Sequence, residues 1–150
     1  MEVRDIMTKK VLTVSFDSPI DQVANILITN RIHGVPVVDG KKLVGIITEN
    51  DFFSTESEEF DLLSYMEFIR KKKPASSMSE KEKERMQKII TSSAKDIMTK
   101  DCISVLPQDD VKRLIEVFRK TKFSSVPVVD EKSHLQGIIT RSDVINTIRL

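Results

Sequence analysis

A tandem repeat limits what this chain can fold into more than any other feature. Residues 35–51 read VPVVDGKKLVGIITEND, and residues 126–143 read VPVVDEKSHLQGIITRSD. Further upstream, Asp5-Ile6-Met7-Thr8-Lys9 returns as Asp96-Ile97-Met98-Thr99-Lys100. The copies are offset by 91 residues at Asp5/Asp96 and Val35/Val126, and by 92 at Gly45/Gly137 and Asp51/Asp143. A duplication with one residue added to the second polar turn accounts for both offsets. In a chain of 150 residues, each of the two like halves is too small to bury a comfortable core alone.

Both copies show one order of elements. In the first, residues 11–14 form a short β-branched run, a predicted strand. Ser18 and Pro19 read as N-cap and first position of a helix with Ile20, Val23, Ala24, Leu27 and Ile28 on one face. Residues 35–38 are a buried-strand pattern, Asp39-Gly40 a turn, and residues 43–47 the hairpin partner. Thr48 ends that strand and caps a helix starting at Glu49, which gives β-α-β-β-α. The second copy repeats it: a strand at 103–106, a helix capped by Asp109, a hairpin of 126–129 with 135–139, and a last helix from Arg141.

Residues 54–93 match neither copy. Thr55 with Glu58 and Ser79 with Glu82 have capping-box spacing, each ahead of an apolar helical stripe. A helical hairpin with an elbow at 74–79 is predicted. The basic run at 70–73 suits a helix C-terminus, and Pro74 stops that helix. The predicted organisation is a first unit at 1–53, a helical insert at 54–93 and a second unit at 94–150.

Composition narrows the function classes. Lys plus Arg number 24 and Asp plus Glu 23, so no overall field draws the chain to nucleic acid or anionic membrane. One cysteine, Cys102, excludes an intrachain disulfide and suits a reducing compartment. With two distant histidines beside it, no zinc-ligand spacing exists. The N-terminal MEVRDIMTKK lacks the apolar stretch of a signal peptide, and no apolar run approaches ~18 residues. A cytoplasmic protein with no membrane insertion is expected. Nothing resembles a nucleophile–base set or a phosphate loop, so an enzyme is not expected.

The two copies resemble the cystathionine-beta-synthase (CBS) motif, across roughly residues 1–53 and 94–150. The carriers are Asp-Ile-Met-Thr, Val-Pro-Val-Val-Asp and Gly-Ile-Ile-Thr-x-x-Asp, in that order, twice. The resemblance implies an α+β fold: tandem β-α-β-β-α CBS motifs in a pseudo-twofold pair, here with a helical insert between them. It also implies a regulatory, energy-sensing type of module. Its ligand would be AMP, ADP, ATP or S-adenosylmethionine, with no required cofactor. Such pairs commonly form homodimers through their helices, which Phe52 and Phe53 could serve, and regulate an enzyme or transporter supplied in trans.

In that family the exit motif holds the ligand, which points to Thr48 and Asp51 and to Thr140 and Asp143. The chemistry is suited to it, because a carboxylate accepts both hydroxyls of a ribose diol. A helix start also offers N–H groups to phosphate. The matching strand positions are Thr13, Ile32, Val35 and Pro36 for the first cleft, and Ser104, Phe123, Val126 and Pro127 for the second. The same Thr-x-x-Asp spacing is close to a structural capping box, and both readings stand at this point.

Residues 30–34, Asn-Arg-Ile-His-Gly, look like the segment of AMP-activated protein kinase gamma subunits in which His and Arg contact phosphates. His33 is kept, and Gly34 stands where that segment has Arg. A structural histidine is the plainer reading of His33. The second copy has Ser124 and Ser125 there, with Arg141 inside its exit motif, where Glu49 stands in the first. An arginine in a first helical turn opposes the helix dipole unless an anion compensates it, so the second cleft is expected to favour a phosphorylated ligand. The alternative to a ligand sensor is a protein-interaction module that docks through the insert.

Overall fold

A computed structural model of the protein describes residues 1–54, 60–71 and 78–149. The first copy contains β1 (Val14–Ser15), α1 (Ile20–Thr29), β2 (Gly34–Asp39), β3 (Lys42–Thr48) and α2 (Glu49–Phe53). The insert supplies α3 (Leu62–Lys71) and α4 (Glu80–Ile90), and α5 (Ala94–Ile97) opens the second copy. There follow α6 (Val111–Lys120), β4 (Ser125–Val129), β5 (Leu135–Thr140) and α7 (Arg141–Asn146). A 3-10 turn at Val3–Asp5 occupies the place in the first copy that α5 has in the second.

The hairpins form as the apolar runs predict. β2 pairs antiparallel with β3, and β4 with β5, each with a register shift at the same point, Val37/Val38 and Val128/Val129. β1 adds in parallel beside β2. The predicted strand at 103–106 contracts to one parallel bridge, Val105 to Val128. Proline explains the difference. Phe16 donates its N–H to Val38 O at 3.1 Å, whereas its counterpart Pro107 has no N–H to give.

Both helix starts fall one residue later than the sequence suggests, for one reason. The Ser18 hydroxyl accepts the Ser15 N–H at 3.0 Å, and the Asp109 carboxylate accepts the Leu106 N–H at 2.9 Å. Those side chains close the turn before the helix instead of capping it. Pro19 and Asp110 are the N-caps, and Asp110 accepts the Lys112 N–H at 2.8 Å.

The halves exchange their openings. Val3 donates to Asp109 O at 2.9 Å, and its counterpart Ala94 donates to Ser18 O at 2.8 Å. Thr8 bonds both ways with Ile138 (2.9 and 3.0 Å), and Thr99 both ways with Ile46 (2.9 and 3.1 Å). The hairpin turns meet likewise: Leu43 donates to Ser133 O, and Leu135 to Lys41 O. These matched pairs are the pseudo-twofold relation expressed in backbone bonds.

Two cores result, each completed by the other copy. Ala94 and Ile97 join Val23, Val35, Val37 and Ile47 in the first, and Val3 joins Leu114, Val126, Val128 and Ile139 in the second. Val3 is fully buried, which is worth roughly 1.5–3 kcal/mol.

Phe60 ties the insert to the first core. It is buried, edge-on to Phe52 with ring centroids 6.2 Å apart, and 5.9 Å from Tyr65. Phe52 is therefore turned inward, while Phe53 stays exposed. In the second insert helix, Glu82 N–H donates to the Ser79 hydroxyl at 3.2 Å, as the capping spacing predicts. The Thr55/Glu58 spacing, Lys72, Lys73 and Pro74 lie outside the described residues. Among the described residues, no helix is long and apolar enough to cross a membrane.

Candidate functional site

Both exit motifs fold as capping boxes. β3 ends at Thr48, whose N–H donates to Asp51 Oδ2 at 2.7 Å, and β5 ends at Thr140, whose N–H donates to Asp143 Oδ2 at 2.8 Å. Asp143 N–H returns a bond to the Thr140 hydroxyl at 3.1 Å. Structural capping is thus present at both sites, using one carboxylate oxygen of each Asp. The remaining oxygens differ. Asp51 Oδ1 accepts the Thr99 hydroxyl at 3.1 Å, whereas among the described residues Asp143 Oδ1 accepts nothing.

Among the described residues, two cavities between the copies adjoin the exit motifs. The larger, about 510 Å³, is walled by Thr140, Arg141 and Ser142 of the second exit motif and by Ile32, His33, Gly34 and Pro36 of the first copy. Lys10, Val11 and Leu12, just past the exchanged first opening, close one side, with Ser124 and Ser125 opposite. The other, about 460 Å³, joins Thr48, Glu49 and Asn50 to Thr99, Cys102, Lys122, Phe123 and Ser124, with His33 at the shared rim.

Each exit motif therefore faces the strand start of the other copy, because the openings and hairpins cross. Ile32 and Pro36 accompany Thr140 rather than Thr48, and Phe123 accompanies Thr48 rather than Thr140. Val35 and Val126 lie in the cores, Pro127 is fully buried, and Thr13 and Ser104 are half-buried outside both walls. Asp51 and Asp143 are not among the lining residues; they sit at the helix starts, next in sequence to the wall residues 48–50 and 140–142.

The charge differs between the cavities. Lys10, Arg31, His33 and Arg141 line the larger one, and among the described residues no acidic side chain does. In the smaller, Glu49 stands opposite Lys122, with its Oε1 3.7 Å from His33 Nδ1. Burial pushes the Cys102 thiol up, with Asp101 adding to the rise against a backbone hydrogen bond that lowers it, so it remains a neutral wall group rather than a thiolate.

Arg141 has a counterweight the sequence did not reveal. Its Nε–H donates to Phe123 O at 2.7 Å, and Nη2 donates to Phe118 O and Thr121 O at 2.7 and 2.8 Å. The guanidinium lies 5.0 Å from the Phe118 ring centroid. The carbonyl end of α6 thus offsets the unfavourable start of α7. Among the described residues, Nη1 has no partner, so part of the fork is left at the cavity wall.

Arg31 and Lys10 were missed from sequence. α1 ends with Arg31 N–H on Ile28 O (3.3 Å) and Ile32 N–H on Leu27 O (3.1 Å), the Schellman pattern, which places Arg31 at φ 52. Glycine normally fills that position, and a side chain there costs roughly 1–2 kcal/mol. The second copy ends α6 in extended backbone at Thr121, with no positive φ at that point. The available signal was a helix end running into a strand with no glycine at its C′ position.

The CBS-domain family model matches residues 3–58 and 94–150. An uncharacterized protein of Methanocaldococcus jannaschii is 31% identical over 99% of this chain and 91% of its own length. Inosine-5′-monophosphate dehydrogenase of Thermoplasma acidophilum is 30% identical over 93% of this chain, which spans 22% of that enzyme. Of solved structures, the CBS-domain pair of protein MJ0100, in complex with 5′-methylthioadenosine and S-adenosyl-L-methionine, superposes with a TM-score of 0.66. It is 26% identical, over 98% of this chain and 94% of that one.

Proposed function

Since the chain belongs to the CBS-domain family, with both repeats matched, we propose that it is a regulatory module that senses an adenosine-containing small molecule between its two copies. The Thr140 cleft is the primary site and takes a phosphorylated ligand of the AMP, ADP or ATP class. One observation carries this: among the described residues, Lys10, Arg31, His33 and Arg141 and no acidic side chain line a cavity of about 510 Å³ beside an exit motif. That volume suits a nucleotide-sized ligand. Asp143 can cap α7 with Oδ2 and still accept a ribose diol with Oδ1, because a carboxylate has about four acceptor sites. The related MJ0100 pair holding adenosine compounds supports the ligand class. The Thr48 cleft, with Glu49 on its wall and the Thr99 hydroxyl on Asp51, suits an uncharged or cationic adenosine compound such as S-adenosylmethionine.

Sensing requires that the ligand prefer one of two packings. The exchanged openings supply a joint on which it acts, because residues past each opening line a cleft. The module then works in the cytoplasm as a homodimer and passes the change to an enzyme or transporter in trans; exposed Phe53, Ile145 and Ile148 offer apolar area for assembly. The test is a thermal-melting series with AMP, ADP, ATP and S-adenosylmethionine. A rise in Tm that Asp143→Ala abolishes supports the reading, and no shift with any of them at millimolar concentration ends it.

A second reading, docking through the insert, is favoured by exposed Leu63, Met66, Ile69 and Ile90 on α3 and α4. Replacing Leu63, Met66 and Ile69 by serine should then release a partner that stays bound regardless of nucleotide.

A further inference from the structure

The turn after α1 holds a side chain where the backbone favours none. Arg31 occupies the left-handed C′ position, φ 52, is exposed, and is one of the residues that line the Thr140 cavity. Glycine would make both closing hydrogen bonds of that turn equally well, since they use only main-chain atoms. The fold therefore gains nothing from an arginine at this point. Strained backbone kept beside a cavity is a pointer to function.

The other basic groups of this wall are already engaged or less selective. Arg141 has three donors committed to the end of α6. His33 faces Glu49 across the rim at 3.7 Å. Lys10 carries a point charge on a flexible stem. Arg31 is exposed and, among the described residues, has no hydrogen-bond or ion-pair partner, leaving a planar fork that matches a phosphate bidentately.

We propose that Arg31 is the specificity residue of the Thr140 cleft: it selects phosphorylated adenosine compounds over unphosphorylated ones and is retained against backbone strain for that purpose. This rests on the adenosine-module reading above.

The test is Arg31→Gly in the full chain, with AMP and adenosine binding followed by calorimetry and melting followed without ligand. Relief of the left-handed strain should raise the ligand-free Tm. AMP affinity should fall about tenfold or more, as loss of a charged bidentate contact does, with adenosine affinity unchanged. Arg31→Lys, which keeps the charge and loses the fork, should fall between. The assignment is overturned if the variant keeps the wild-type ratio of AMP to adenosine affinity, if both ligands weaken together, or if the ligand-free Tm drops. A wild type that binds neither compound overturns the assignment, and the module reading falls with it only if ADP, ATP and S-adenosylmethionine also fail to bind, so the two failures are distinct.

Discussion

The Thr99 hydroxyl donates a 3.1 Å hydrogen bond to Asp51 Oδ1, joining the opening of the second copy to the exit motif of the first. Its counterpart Thr8 makes no such bond to Asp143 among the described residues. Two carboxylates in equivalent places therefore differ in what they leave for a ligand. This difference comes from the contact that an exchanged opening makes with an exit motif, and it adds to the Glu49/Arg141 difference within the motifs.

Replacing Thr99 by valine removes that donor and keeps the shape. The bond is solvent-exposed, so the loss of stability should be small, about 0.5–1.5 kcal/mol by urea unfolding. Binding of an adenosine compound at the Thr48 cleft should strengthen, because Asp51 Oδ1 no longer receives an internal donor. Calorimetry reads this as a tighter second site. An unchanged second site would mean that Asp51 Oδ1 does not meet the ribose.

Gly45 and Gly137 are held by close approach across the copies. A Cβ on Gly137 would lie 2.8 Å from both Met7 sulfur and Thr8 O, and one on Gly45 would lie 2.8 Å from Met98 sulfur and 2.9 Å from Thr99 O. Gly137→Ala should cost about 1–3 kcal/mol, as overpacking does. Met7→Ala should not restore it, because the Thr8 carbonyl is backbone and cannot swing away. Denaturant titration of the single and double variants decides the matter.

Local features of the fold were legible in the sequence, and relations between the copies were not. Residues 35–38 and 43–47 announced a hairpin, because an apolar run bounded by turn residues has few other outcomes. Thr48 and Thr140 announced helix caps, and the structure shows both. But Asp5-Ile6-Met7-Thr8 reads identically in both copies, so nothing in it tells which copy it packs on. The crossing of Val3 and Ala94 is a choice between two equally apolar cores. Side chains that capture a nearby N–H shifted the helix starts at Ser18 and Asp109, a competition between two local bonds that spacing does not resolve. The only hint of Arg31 in the sequence is a helix end that runs into a strand with no glycine at its C′ position, and this does not say which residue takes the left-handed turn. Sequence alone leaves Arg141 in want of an anion, because spacing does not place the end of α6, some twenty residues away, beside it.

Arg141 serves as a structural clamp before any ligand arrives. Arg141→Ala removes three hydrogen bonds from a charged donor and the contact with the Phe118 ring. The expected loss is roughly 2–4 kcal/mol, starting from 1.5–3 for one charged hydrogen bond and allowing for partial exposure. Amide exchange should quicken at the C-terminal end of α6, at Lys120 and Thr121, more than in β2 and β3. Uniform quickening would show that the clamp is not local.

The turn at Asp130 should make the contact between hairpins sensitive to acid. Asp130 Oδ1 accepts the N–H groups of His134 and Lys132, each at 2.9 Å. The His134 bond is the main reason its carboxyl lies below the ordinary carboxylate range; desolvation opposes it, and the Lys132 bond and the nearby charges of both side chains add to the lowering. A folded-state pKa lower than the unfolded one means that the ionised form stabilises the fold. That contribution is complete above the unfolded value, about 3.9, and is lost as pH falls through the lower folded value. The same turn presents Ser133 O to Leu43 N–H of the other hairpin at 2.9 Å, so protonation should loosen that contact. Amide exchange at Leu43, compared between wild type and Asp130→Asn, tests this. Asparagine can accept a hydrogen bond but does not ionise, so the wild type should protect Leu43 better at pH 6, and the difference should close between pH 4 and pH 2. A constant difference across that range would show that the charge of Asp130 plays no part.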